Sequence, residues 1–143
     1  GTQGGPLMNI IAAKAQAYAE ANTDEYKVYA RAVIDNARAM CEEFIKRDYP
    51  MQTLGTDSHI ILLNLVGHSL SGREAADRLE ANGITVNKNG VPDDPRNFVE
   101  TSGIRIGTAA ETTRGHDEAW FRTLANRICD ILDGKENNVV PIR

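Results

Sequence analysis

Thr101-Ser102-Gly103-Ile104-Arg105-Ile106-Gly107-Thr108 places one charge between two isoleucines and closes the run with a glycine at each end. The alternation predicts a short strand over Gly103 to Gly107. A guanidinium in such a strand is costly unless a carboxylate meets it, and its planar fork matches a carboxylate with two parallel hydrogen bonds. That carboxylate has two possible sources. One of the twenty acidic residues could form a structural ion pair with Arg105, or a ligand could supply the group. From the residues alone the ion pair is the commoner arrangement.

Outward from this strand, the chain alternates helical and strand-like patterns. Pro6 to Ala21 is alanine-rich, with Leu7, Ile10, Ile11, Lys14 and Tyr18 at three- and four-residue steps, and predicts a helix with proline at its first position. After Asn22, Thr23 or Asp24 can cap a second helix running to about Arg47. Its predicted apolar stripe is Tyr26, Tyr29, Val33, Ala37, Met40, Cys41 and Phe44. Ile60 to Val66, after a Gly-Thr-Asp-Ser turn, reads as a buried strand, and Met51 to Leu54 can pair with it.

Ser71-Gly72-Arg73-Glu74 has the capping-box form and opens a helix to about Ala81. Ile84 to Val86 predicts a short strand, whereas Asn87 to Asn97 is polar and interrupted by proline, and predicts a loop. A last helix starts near His116, turns Phe121, Leu124, Ala125, Ile128, Ile131 and Leu132 inward, and is capped by Gly134. The fold class is therefore α+β, a few short strands covered by helices.

A composition of 41% hydrophobic and 25% charged residues suits an ordinary globular domain. The net charge of −4 leaves no broad basic footprint, so no nucleic-acid partner is expected. No long uncharged apolar run or basic-then-apolar leader occurs, so no membrane association is expected and the default location is cytoplasmic. Cys41 and Cys129, each within a helical stripe, read as small buried hydrophobes. His59, His68 and His116 lack metal-ligand spacing, so no metal is expected.

Two further places could carry chemistry. Gly4-Gly5-Pro6 at a helix start can bring backbone N–H groups and the positive helix end to an anion, although a plain helix start is the commoner meaning. Asn89 could close its own turn or hydrogen-bond a heterocycle, since an amide is both donor and acceptor.

Taken together, Thr85-Val86-Asn87-Lys88-Asn89-Gly90-Val91-Pro92, the Thr101 to Thr108 run and the opening Gly1-Thr2-Gln3-Gly4-Gly5-Pro6-Leu7-Met8 resemble the serine hydroxymethyltransferase family in order and spacing. Thr56-Asp57-Ser58-His59 also resembles a Thr-Asp-Asn-His stretch of that family, although Asp57 and His59 read as structural turn and strand-start residues. The resemblance implies the small C-terminal domain of a fold-type I pyridoxal-phosphate enzyme. Residues 1–23 would end the large cofactor domain, and 24–143 would form the small domain with a long linking helix. The implied reaction interconverts serine plus tetrahydrofolate with glycine plus 5,10-methylenetetrahydrofolate, using pyridoxal 5'-phosphate in a homodimer.

By the same resemblance Arg105 binds the amino-acid carboxylate, Asn89 lies against the folate, and Gly4 and Gly5 hold the cofactor phosphate of the partner subunit. No catalytic residue is expected in this segment, because the cofactor's lysine precedes it, and the segment alone is expected to be inactive. The chain departs from the family pattern at Asn9, at Asn97-Phe98-Val99-Glu100 and at Ala109, where histidine, a Ser-Pro-Phe-type stretch and proline are usual. Two alternatives are a non-catalytic interaction module derived from this domain and another fold-type I enzyme. The Asn-Lys-Asn loop speaks against the latter. Leu7, Ile10, Ile11 and Tyr18 form an apolar stripe that needs a cover, which predicts self-association or poor order of residues 5–21.

Overall fold

The computed structural model describes residues 4–135, and the chain divides into two compact units, Gly1–Arg31 and Ala32–Arg143. In the first unit, helix α1 spans Met8–Ala21. It starts later than the proline predicts. Leu7 takes the extended cap backbone and its carbonyl accepts from the Ile10 and Ile11 amides, so Pro6 stands just outside the helix. No residue of α1 is buried, and Leu7, Ile10, Ile11 and Tyr18 are all exposed. Thr23 opens α2, Asp24–Lys46, by accepting from the Tyr26 amide at 3.2 Å.

The buried stripe of α2 begins at Val33 and continues through Ala37, Met40, Cys41 and Phe44. Tyr26 at the predicted start of that stripe is instead exposed, with its ring 5.7 Å from that of Tyr29. In the second unit a three-stranded antiparallel sheet has the order β1-β3-β2, with β1 at Ile60–Asn64, β2 at Asn87–Asn89 and β3 at Gly103–Gly107. Ile61, Leu63, Ile104 and Ile106 point to the core, where they join Phe44, Leu79, Phe121 and Ile128. The helices around them are α2, α3 at Gly72–Ala81 and α5 at Glu118–Leu132. Burial pushes the thiols of Cys41 and Cys129 up to about 11 and about 12, as fits two inert packing residues.

Two elements differ from expectation. The strand predicted at Ile84 to Val86 lies one step later, on Asn87–Asn89, inside the stretch that reads as loop. Ile84 and Val86 are half-buried against the core, while the next residues pair with β3 and bury no apolar side chain. A strand without a buried apolar side chain leaves no hydrophobic pattern. The second is a short helix α4, Ala109–Thr113, which begins directly after β3. Ala109 is its first residue, and Thr108 before it has helical backbone, φ −102° and ψ −14°, which a following alanine allows more readily than a proline would. Met51 pairs with β1 at a single bridge, opposite Leu63.

The N-terminus of α3 holds the loop before β3 in place. Ser71 and Glu74 form the capping box: the Ser71 hydroxyl accepts from the Glu74 amide at 3.2 Å, and Glu74 accepts from the Ser71 amide at 2.8 Å. The remaining orphan donors find partners across the fold, with the Gly72 amide on the Thr101 carbonyl and the Arg73 amide on the Glu100 carbonyl, both at 2.9 Å. Arg73 also pairs with Glu100 at 2.9 Å. Asn97 turns the chain into this contact by accepting the Val99 and Glu100 amides on its side chain.

Close approach of two backbones makes Gly72 necessary. A Cβ there would lie 2.3 Å from Thr101 Oγ1 and 2.4 Å from the Gly103 carbonyl oxygen. Asp94 pins the other end of the loop by accepting amides of Val91, Arg96 and Ser102, the last at 2.8 Å. Arg96 in turn donates to the Leu65 and His68 carbonyls and to Ser102 Oγ.

Gly72→Ala should therefore lower the unfolding free energy by about 1–3 kcal/mol or more in denaturant titration. A glycine in an open helix would respond the other way, gaining up to about 1 kcal/mol. Burial tends to raise the Asp94 carboxyl, but the hydrogen bonds from Ser102, Arg96 and Val91 outweigh it and bring the group from 3.8 down to about 2. A depressed carboxylate stabilises the fold fully above its unfolded value and loses that contribution as pH falls through the folded one. The Val91, Arg96 and Ser102 amides should keep their hydrogen-exchange protection at neutral pH and lose it between about pH 4 and pH 2. Asp94→Ala should lose it at every pH.

Candidate functional site

β3 is the central strand, so its two faces meet different surroundings. Ile104 and Ile106 are buried, whereas Arg105 between them projects from the opposite face and is exposed. Directly opposite Arg105 stand Leu62 on β1 and Asn87 on β2, so all three share that outer face. The neighbours along the same face of β3 are Gly103 and Gly107, which contribute no side chain. The result is a low platform with one guanidinium standing on it.

Gly103 is required for this shape. A Cβ at Gly103 would sit 2.8 Å from the Asn89 carbonyl oxygen and 3.0 Å from that of Leu63, which would push both neighbouring strands away. Thr101, two residues earlier, is buried and takes a left-handed backbone with φ of 54°, the bend that turns the chain from the α3 contact into the strand.

Among the described residues, the ion pair that the residues alone favour for Arg105 does not form. Arg47 closes on Asp130 and Asp133, Arg73 on Glu100, Arg114 on Glu111 and Arg122 on Glu42 and Glu43. Among the described residues Arg105 meets no carboxylate, and its one hydrogen bond goes to a neutral group, Nη2 to Asn87 Oδ1 at 3.3 Å. A guanidinium with four donors still unused can take a planar anion through two parallel bonds.

Asn89 lies on the same face, opposite Gly103, and is half-buried. Its side-chain NH2 donates to the Gly90 carbonyl at 2.7 Å, which is the turn-closing arrangement. This fixes the amide and presents its oxygen as the acceptor. Lys88, on the other face of β2, donates to the Val99 carbonyl and ties the strand to the loop before β3. Asn87 was not singled out from the sequence, and the cross-strand register is what brings it to Arg105.

In the N-terminal unit, Gly4 and Gly5 are exposed and an added Cβ at either would touch nothing within 4 Å, so their backbone is open to a ligand. They precede α1, whose first turn has no acidic residue and no side-chain cap. Asp24, Glu74 and Glu118 occupy the corresponding turns of α2, α3 and α5. An anion would meet no repelling carboxylate at α1.

Asp57 and His59 do not form an acid–base pair. Asp57 is exposed and lies 3.5 Å from Arg38, and the His59 carbonyl accepts the Thr108 amide. His68 accepts the Leu70 amide on Nδ1, and His116 stacks on Trp120 with ring centroids 3.9 Å apart. Among the described residues no group of three His, Cys, Asp or Glu side chains could hold a metal ion. No described helix is long and apolar enough to cross a membrane.

The family whose pattern these residues follow can be stated from the whole chain. The sequence model described as serine hydroxymethyltransferase matches residues 1–128, which takes in the Gly-Gly-Pro opening, the Asn-Lys-Asn strand and the Arg105 platform. The chain belongs to the serine hydroxymethyltransferase family.

Proposed function

We propose that this chain is the C-terminal part of an enzyme that interconverts serine plus tetrahydrofolate with glycine plus 5,10-methylenetetrahydrofolate, and that Arg105 receives the amino acid's α-carboxylate. The observation that carries this is the state of Arg105: an exposed guanidinium on a bare sheet face, held by one neutral amide and facing no carboxylate among the described residues. Its planar fork orients the amino acid as well as binding it, since two parallel bonds fix the plane of the carboxylate.

The remaining roles are assigned by family membership and by fit. Gly4 and Gly5, with open backbone beside the carboxylate-free start of α1, would hold the phosphate of pyridoxal 5'-phosphate bound by the partner subunit of a homodimer. When bound, that cofactor supplies the electron sink for cleavage at the amino acid's α-carbon. Asn89 would present its amide oxygen to the folate, on the same face as Arg105.

Each of the five lysines is exposed, and Lys88 is occupied with the Val99 carbonyl. This supports the reading that the lysine that carries the cofactor belongs to a part of the protein outside this segment, and that the segment alone is inactive. A cytoplasmic location is in keeping with this metabolic role.

In the whole protein that contains this segment, Arg105→Ala should weaken serine and glycine binding about 100-fold or more, because a desolvated carboxylate loses its charge-assisted fork. Affinity for pyridoxal 5'-phosphate should change little. Spectroscopic titration with glycine checks both, and near-normal glycine affinity would overturn the assignment. The isolated segment, mixed with pyridoxal 5'-phosphate and borohydride, should stay unlabelled. Stoichiometric reduction onto one lysine would show that the cofactor site lies within it.

A further inference from the structure

We infer that Asn87 is the positioning residue for Arg105, and that its neutrality is what keeps the guanidinium available for the substrate carboxylate. The inference rests on the carboxylate-binding role proposed for Arg105 and deepens it. Asn87 stands directly across from Arg105 in the β2–β3 ladder, on the same face, and its Oδ1 accepts from Arg105 Nη2 at 3.3 Å.

Three physical requirements meet at this position. A long arginine side chain on a flat, exposed face has many rotamers, and one fixed acceptor reduces that freedom before the ligand arrives. The acceptor must take only part of the fork. An amide oxygen engages one hydrogen of Nη2 and leaves the other, which with the neighbouring nitrogen on its side, Nη1 or Nε, makes the parallel pair of bonds a carboxylate needs. The acceptor must also be uncharged. Where this chain sets a carboxylate beside an arginine, the two close on each other, as Arg73 does with Glu100 and Arg122 with Glu43. An aspartate at position 87 has the size and reach of asparagine and would close Arg105 in the same way, so an incoming carboxylate would have to displace it.

Backbone pairing fixes the geometry independently of the side chains. β2 is an edge strand of three residues, and its register puts Asn87, and neither Lys88 nor Asn89, opposite Arg105. Because Asn87 is exposed and outside the core, replacing it leaves the packing untouched.

The test uses the whole protein carrying this segment, with Asn87→Asp, Asn87→Ala and Arg105→Ala variants. Dissociation constants for serine are compared with those for 2-aminoethanol, the same amino alcohol without the carboxylate, and thermal unfolding confirms that each variant is folded. Asn87→Asp should weaken serine about 30-fold or more, through competition for the fork, and Asn87→Ala only about 3–10-fold, through lost orientation. Neither should change 2-aminoethanol affinity by more than about 2-fold, and with Arg105→Ala already present Asn87→Asp should add no further loss. If Asn87→Asp binds serine as well as Asn87→Ala does, whether both stay near the parent or both fall alike, the inference is overturned. Equal losses for serine and 2-aminoethanol also overturn it. If Arg105→Ala itself binds serine normally, the carboxylate assignment fails first, and that outcome is separate from the other two.

Discussion

The backbone contact between the start of α3 and the residues before β3 is the constraint on which the rest of the C-terminal unit depends. Two orphan donors of the helix, on Gly72 and Arg73, are satisfied by the carbonyls of Thr101 and Glu100. Neither partner is satisfied without the other: the helix would begin with unpaired N–H groups, and the Thr101 and Glu100 carbonyls would lose their donors. The contact requires a bare Gly72 and a left-handed Thr101, and together these set the point at which the chain enters the central strand.

From that point the platform follows. Gly103 lets β1 and β2 approach β3 closely, the isoleucines turn into the core, and Arg105 is left on the outer face with glycines on either side. Asp94 and Arg96 hold the loop's other side, Asp94 by accepting backbone amides and Arg96 by donating to carbonyls and to Ser102 Oγ. The ion pairs of this unit lie among helix and loop residues such as Arg47, Arg73 and Arg122, which keeps their carboxylates occupied. A carboxylate-binding arginine needs such an arrangement, since any free acid in reach would take the place of the ligand.

Two of the three departures from the family pattern lie in the C-terminal unit, at the start of α4 and in the loop before β3. Ala109 begins a helical turn after Thr108, whose helical backbone suits a following alanine. Asn97-Phe98-Val99-Glu100 makes a self-capped turn whose last residue reaches both Ser71 and Arg73. Neither departure touches the Asn87–Arg105 pair.

The sequence by itself determined most of the helices, the capping box, β1, β3 and the family, because these leave periodic or contiguous patterns: the apolar stripe from Val33 to Phe44, Ser71 with Glu74, Ile104 with Ile106. Arg105 and Asn89 could be singled out from local motifs, but whether Arg105 met an internal acid was open. Only the tertiary structure decided that, for the described residues. It also decided the place of β2, which rests on backbone pairing and has no apolar side chain to announce it, and the partnership of Asn87 with Arg105 across 18 residues of chain. Register between strands is set by the whole sheet and by the glycines that let it close. A one-residue slip would turn Asn87 away from Arg105, and no local pattern in Asn-Lys-Asn records which of its residues faces the charge.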